Sequence, residues 1–357
     1  MRILVSRTDR IGDVVLTLPL CGLLRTELGA EVVVLGRGYT RPVLEASPHV
    51  AEVLDWDDVA LAGPRAQRDF LGAARVDVIL HAFPRPDIAR AARAAGIATR
   101  IGTSHRLYHW LTCNAPEHFS RRHSPLHESQ LNVRLARRLL GEPIPTSDAL
   151  AHLTRLEPRE PLPAAVTDLL DSRRSQLVLH PLTGGSAREW PLAHWRELAE
   201  SLDPSRVQVV VTGSVSEREL LAGWMRTMPA HTTDLTGQLS VGQLVSLYAR
   251  VDGVVAASTG PLHIAAAAGA NTLGLFSPTA PVHPGRWAPM GPRASYMTPA
   301  ISCDSCRGLR GATDSCTCLD AITVSDVHDR IAGWLGGVRH PDVVAMPGSA
   351  LPTAATI

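Results

Sequence analysis

One feature constrains this chain more than any other. Short runs of β-branched and other apolar residues alternate with stretches of helical spacing. In the first half the runs are RILVS, EVVVLG, AEVLDW, VDVILHAF and TRIGTS; in the second they are QLVLHPL, VQVVVTG, VDGVVAAS and NTLGLFS. Val14, Leu18 and Cys21 share one helical face, and Ala89, Ala92 and Gly96 share another. Further helices are expected to start near Leu192, Glu217, Val241 and Pro261, and one with Leu131, Leu135 and Leu139 on its apolar face. Strands that alternate with helices build parallel sheets from right-handed βαβ units. The expected fold is therefore α/β, with two Rossmann-like domains facing each other across a cleft.

Length agrees, since 357 residues suffice for about two domains of roughly 150 residues each. The expected boundaries are a first domain over 1–150, a proline-rich linker without helical periodicity over 151–174, a second domain over 175–335, and a mobile tail over 336–357. The halves resemble each other in architecture only. A net charge of +1 gives no global attraction to nucleic acid. The stretch VVLTLPLCGLL is too short to cross a bilayer, and no cleavable leader is visible. A soluble, cytoplasmic protein is expected, which disfavours a disulfide framework for its six cysteines. Four of them, Cys303, Cys306, Cys316 and Cys318, crowd together with a ligand count that suits a structural zinc site. The last spacing is tight, and ordinary thiols are the alternative.

Parallel α/β sheets bind ligands at the carboxyl ends of their strands. Three turns there have unusual polar content. The first, RTDRIGD, holds Arg7, Arg10, Gly12 and Asp13. In the second, HPLTGGSAREWP, Thr183, Gly184, Gly185 and Ser186 offer hydroxyls and unhindered N–H groups, and Arg188 a positive fork. That set suits a diphosphate, although a glycine turn before a capped helix would look similar. The third is ASTGPLHIAAAAG. Ser258 and Thr259 are natural N-caps, Gly260 permits close approach, and His263 lies within reach of a bound phosphate. A histidine in an apolar helix is more often structural.

Other motifs exclude more than they suggest. LGRGYTRP follows the second strand and lacks a full G-x-G-x-x-G, so it is poor evidence for a nicotinamide cofactor. There is no P-loop and no G-x-S-x-G. The middle region, SHRLYHWLTCNAPEHFSRRHSPLHES, mixes His, Arg and aromatics. It suits an anionic acceptor or an anionic membrane surface, with a solvated basic loop as the plainer alternative.

With these turns in order, the chain resembles glycosyltransferase family 9, the heptosyltransferase-like enzymes of GT-B fold, over roughly residues 1–335. The resemblance rests on RTDRIGDVVLTLP, HPLTGGSAREWPLAHWRELAESL, VVVTGSVSERELL and DLTGQLSVGQLVSLYARVDGVVAASTGPLHIAAAAG. It implies an inverting transferase that needs no catalytic metal or other cofactor. Such an enzyme moves a heptose or related sugar from a nucleotide-sugar, typically ADP-heptose, to a glycan or glycolipid hydroxyl in cell-envelope lipopolysaccharide synthesis. The protein would then lie at the inner face of the cytoplasmic membrane. Asp13 falls at the general base, with Arg7 and Arg10 orienting the acid or an anionic acceptor, and Arg121 and Arg122 on the acceptor side. Thr183, Ser186 and Arg188 fall where donor phosphates are held, beside Gly184 and Gly185, and Arg188 replaces a frequent Lys. Glu217 falls where an acid meets the nucleoside, and Thr259, Gly260 and His263 in the phosphate turn. Ser258 departs from the family's usual Asp, which leaves the sugar open. A GT-B-like nucleotide-sugar 2-epimerase and a catalytically weak nucleotide-binding module are the alternatives.

Overall fold

The computed structural model describes residues 1–122, 124–301 and 317–335. Strands β1 (Arg2–Ser6), β2 (Glu31–Gly36), β3 (Glu52–Asp55), β4 (Val78–His81) and β5 (Thr99–Ile101) form one parallel sheet in the order β3-β2-β1-β4-β5. Strands β6 (Ser175–His180), β7 (Val207–Val211), β8 (Thr232–Asp234), β9 (Gly253–Ala257), β10 (Asn271–Leu275) and β11 (Ala294–Met297) form a second, in the order β11-β10-β9-β6-β7-β8. All pairings within both sheets are parallel. Read from β8, the second order is that of a Rossmann sheet; the first sheet has the same order without a sixth strand. The expected α/β architecture with two Rossmann-like sheets is what the chain adopts. The edge strands β8 and β11 were not expected. Their sequences, TTD and ASYM, carry no apolar run, because an edge strand is only half covered.

Alternation along the central strands divides the core. Ile3 and Val5 of β1 pack toward the middle of the molecule with Val14, Leu18 and Leu24, whereas Leu4 faces Val33, Ile79 and Ile88 on the outer side. In β6, Val178 joins the same middle core, while Leu177 and Leu179 face Trp190, Trp195 and Val209. The middle core thus runs without a break from one sheet to the other.

Two expected helices are interrupted. The face of Val14, Leu18 and Cys21 is split between Ile11–Val15 and Leu18–Leu28. Pro19 at the start of the second helix has no N–H to continue the first, and its ring would meet the carbonyl of Val15. Likewise the helix carrying Leu131 and Leu135 ends at Leu135, and Leu139 lies on a separate turn, Arg137–Leu140.

The segment read as a linker without helical periodicity holds more structure than that. It begins at the end of a helix, Ser147–Ala151, and contains another, Ala164–Leu169. Each is too short for a period to show. Leu150, Leu153, Leu156, Leu162 and Val166 are buried in the middle core. The backbone is stitched to both halves: Leu156 N–H donates to the Ala267 carbonyl and Glu157 N–H to that of Ala46, at 2.9 and 2.8 Å. Three of the four clustered cysteines, Cys303, Cys306 and Cys316, and the tail from Gly336, lie outside the described residues. Cys318 is buried, with its Sγ 3.8 Å from Ser277 Oγ. Among the described residues no helix is long and apolar enough to cross a membrane.

Because Leu150 has no exposed surface, Leu150→Ala should lower the unfolding free energy by about 2–5 kcal/mol, as large-to-small changes in a core do. Urea denaturation checks this. A change within about 0.5 kcal/mol would mean that the segment is a solvated tether after all.

Candidate active site

A parallel sheet offers a crevice where neighbouring strands send their connections in opposite directions. In the first sheet that point lies between β1 and β4, and in the second between β6 and β9. The three polar turns follow β1, β6 and β9, so all three open at these two switch points. The first and third also touch. A Cβ on Gly260 would lie 3.2 Å from Ile11 Cβ, and one on Gly12 would lie 2.9 Å from His263 Cδ2. Two helices from different sheets, Ile11–Val15 and Gly260–Ala267, can meet this closely only because both positions lack a side chain.

A cavity of about 260 Å³ lies at this meeting point, lined by Arg10, Asp13, Ser186, Ser258, Thr259 and His263, with Pro281 and Trp287 at its side. The Gly260–Ala267 helix presents its N-terminus here. Thr259 is its N-cap in extended geometry and makes no side-chain cap bond. Uncapped N-terminal amides carry partial positive charge and suit an anion. His263 is buried; burial, with His127 nearby, pushes its imidazole down to about 3, so it is neutral at physiological pH. Its Nδ1 has no hydrogen-bond partner among the described residues.

The second turn reaches this cavity through Ser186. Gly184 and Gly185 have φ of 56° and 76°, the left-handed region where a side chain is strained. Thr183 fixes the turn from within: its N–H and hydroxyl both donate to Glu189 Oε1, at 2.7 and 2.9 Å. Thr183, Gly184, Gly185, Arg188 and Glu217 are not among the lining residues. Arg188 is buried and engaged within the fold. Glu217 closes a capping box, accepting from Ser214 N–H at 2.7 Å while Ser214 Oγ accepts from Glu217 N–H at 3.3 Å. Its other oxygen lies 3.9 Å from where a Cβ on Gly184 would stand.

A larger cavity of about 740 Å³ shares Asp13, Pro281 and Trp287 with the first, and its other charged lining residues are basic apart from Glu128. Arg7, Arg106, Arg121, Arg122 and Arg286 line it, with His81, His105 and His283. Arg10 belongs to the smaller cavity instead, on the side of the third turn.

Buried charge organises the wall between the cavities. Arg7 is 3% exposed, and its fork reaches Asp9 at 2.8 Å, Asp13, Glu128 at 3.3 Å and Asn132 at 3.2 Å. Glu128 also pairs with Arg121, and with Arg286 at 2.6 Å. Burial works to raise the Glu128 carboxyl, but Arg121, Arg7 and Arg286 outweigh it and hold it below the usual range. Asp13 has mainly Arg7 for the same task, with Arg121 a weaker help and the Glu128 charge working against both. Burial raises its carboxyl, and Arg7 offsets this only in part. Burial likewise raises Asp9, to about 7, with Arg7 opposing and the Asp13 charge adding. Asp9 and Asp13 share Arg7 and titrate as a pair.

The family model of glycosyltransferase family 9 (heptosyltransferase) matches residues 89–314, well over half of the chain. The chain belongs to this family. It is 33% identical to lipopolysaccharide heptosyltransferase 2 of Escherichia coli K12 over 101 residues, 27% of this chain and 29% of that protein. It is 27% identical to the lipopolysaccharide core heptosyltransferase OpsX of Haemophilus influenzae over 110 residues, 30% of this chain and 32% of the relative. The matches span about a third of these curated relatives. The solved structure of E. coli ADP-heptose lps heptosyltransferase II superposes with a TM-score of 0.73 at 22% identity, covering 94% of this chain and 98% of that one. The fold shared with such structures is GT-B.

The family match includes the second and third turns, whereas the first turn, with Asp13, precedes it. Sequence reasoning missed Glu128, Arg286, Trp287 and His81. A usable signal existed, since the loops after β4 and β10, HAFPRP and SPTAPVHPGRW, also leave the carboxyl ends of strands. Their polar residues are diluted by proline and aromatics, so they do not look like anion-binding turns.

Two outcomes follow for this family 9 protein. The native state holds a proton on Asp9 that the unfolded chain, at the ordinary value of 3.8, releases earlier. The stability this contributes is complete below the ordinary range and is lost as pH rises toward about 7. Asp9→Asn should therefore gain stability relative to the parent as pH is raised from about 5 to 8, read as paired melting curves; parallel curves would refute it. Gly12→Ala, whose Cβ meets the His263 ring, should cost roughly 1–3 kcal/mol by overpacking, measured in urea.

Proposed function

We propose that this protein is an inverting, metal-independent glycosyltransferase. It moves a heptose or related sugar from an ADP-sugar to a hydroxyl of a lipopolysaccharide-type glycan or glycolipid, at the inner face of the cytoplasmic membrane. Family membership supports glycosyl transfer. The names of similar proteins, lipopolysaccharide heptosyltransferase 2 and ADP-heptose lps heptosyltransferase II, support this donor and acceptor class. The observation that carries the reading is the position of Asp13 on both cavities at once.

The donor diphosphate occupies the smaller cavity. The N-terminus of the Gly260–Ala267 helix, the Ser186 and Ser258 hydroxyls and neutral His263 face it, and Arg188 and Glu217 support the turns around the nucleotide. These groups are fixed before the reaction and stabilise the charge that builds on the leaving diphosphate. Among the described lining residues of this cavity Asp13 alone carries a carboxylate, and Arg7 already engages it. A hard cation wants several oxygen ligands, so the donor set favours electrostatic stabilisation by the protein itself. Ser258 supplies a hydroxyl where a carboxylate would add negative charge beside the sugar.

The acceptor enters the larger cavity, where Arg121, Arg122 and Arg286 meet its anionic groups. Its hydroxyl approaches the anomeric carbon from the side opposite the diphosphate. Asp13 takes the hydroxyl proton as the new bond forms, and the sugar–phosphate bond breaks in the same displacement, which inverts the anomeric centre. A carboxyl that burial holds above its usual range is a stronger base toward that proton. Arg7 holds the Asp13 carboxylate in place.

Asp13→Asn should leave the fold and ADP affinity intact by calorimetry and cut transfer by about 10²–10⁴-fold. EDTA should leave transfer unchanged. Full activity in the variant would remove Asp13 from the chemistry, and strict Mg²⁺ or Mn²⁺ dependence would refute the metal-independent mechanism.

A further inference from the structure

The helix Leu107–Thr112 turns its apolar side outward. His109 and Thr112 are buried, and His109 Nδ1 lies 2.9 Å from the Thr103 carbonyl. Leu107, Trp110 and Leu111, spaced i, i+3 and i+4, are 86%, 58% and 72% exposed. A side chain at each of these positions adds to one face of the helix, so the three form a single apolar patch. Contiguous apolar surface of this kind marks an interaction site.

Its surroundings say what kind of partner fits. Arg106 is the N-cap residue of this helix and His105 precedes it, and both are exposed, as are Arg93 and His118. Arg93 donates to the Leu111 carbonyl at 2.5 Å, and the His118 ring lies 6.0 Å from that of Trp110. The nearby acid Asp87 is already engaged, by Arg85 and by Trp56 Nε1. Trp110 Nε1 donates to the Ser104 carbonyl at 2.9 Å. Its ring can therefore enter apolar surroundings without an unpaired N–H. Apolar and aromatic side chains inside a cationic rim are the chemistry of a surface that lies on an anionic bilayer. The patch also adjoins the larger cavity, since Thr103, His105 and Arg106 line it.

We propose that this face docks on an anionic lipid bilayer, with Leu107, Trp110 and Leu111 entering the interface and the arginines meeting the headgroups. It would bring the mouth of the larger cavity to the membrane, so that a glycolipid enters without leaving the lipid. That last step rests on reading the larger cavity as the acceptor site; the docking does not.

The test is co-sedimentation with vesicles of phosphatidylcholine containing about a quarter phosphatidylglycerol, compared with phosphatidylcholine alone. The wild type should bind the anionic vesicles, and more weakly as salt rises. Leu107→Ser/Trp110→Ser/Leu111→Ser should lose about tenfold or more of that binding, yet melt normally and act on a water-soluble acceptor fragment at the wild-type rate. In the wild type, lipids brominated in their acyl chains should quench part of the tryptophan fluorescence, a readout that needs no variant. Absence of wild-type binding, equal binding by the triple variant, absence of quenching, or a dimer that the variant abolishes would each overturn the proposal. If vesicles bind but no sugar is transferred from any nucleotide-sugar, the proposed function fails while the docking surface stands.

Discussion

The contact between Gly12 and Gly260 is the constraint on which the site depends. Two helices that belong to different sheets approach until a methyl group on Gly12 would overlap the His263 ring and one on Gly260 would crowd Ile11. A larger residue at either position would have to displace the His263 ring or the Ile11 side chain. With both glycines in place, Asp13, one residue after Gly12, is carried to the N-terminus of the Gly260–Ala267 helix. A carboxylate there would oppose the attraction that the helix N-terminus exerts on an anion. Asp13 also looks into the basic cavity on its other side.

That arrangement needs Arg7. Three carboxylates, Asp9, Asp13 and Glu128, lie within its reach. Burying so many acids around one cation would leave them undercompensated, and the protein treats them unequally. Glu128 receives two further guanidiniums, from Arg121 and Arg286, and stays ionised. Among the described residues Asp9 and Asp13 form ion pairs with Arg7 only, Arg121 acts on them at longer range, and their carboxyls are raised. Strong compensation suits a residue that holds the wall together, and weak compensation suits one that exchanges a proton. Burial alone would have raised all three.

The parallel architecture and the three turns were legible because each rests on local chemistry. β1 and β6 are apolar runs, and Gly184 and Gly185 sit where left-handed backbone demands glycine. The linker misled because its two helices are too short to show a period, and its leucines are buried by contacts from both halves. Glu217 was legible as an acid in a turn, but its place in a capping box with Ser214 competes with the role the family resemblance implies. Glu128 and Arg286 were not legible at all. They stand 158 residues apart, each within an unremarkable stretch, and only the packing of the two halves makes them partners. Pairwise electrostatics at such separation leaves no mark in a single sequence.

The Glu128–Arg286 pair also shows how the halves are coupled without being locked. Arg286 arrives from the short helix Pro284–Trp287 after β10, and Glu128 from the helix Glu128–Leu135 of the first half. His127 makes a second link, with its Nε2 3.0 Å from the Ala288 carbonyl. Removing one partner of a buried ion pair is normally costly, because a charge is left uncompensated in low dielectric. Here withdrawal of Arg286 would leave Glu128 paired with Arg121 and Arg7, and would expose the guanidinium to water. The clasp therefore separates at a smaller cost than an isolated buried pair of the same geometry. The glycine contact and the middle core contain no such reserve, since their apolar surface would have to be hydrated. Movement of the halves is thus easiest at the basic cavity and hardest at the turn that carries Asp13.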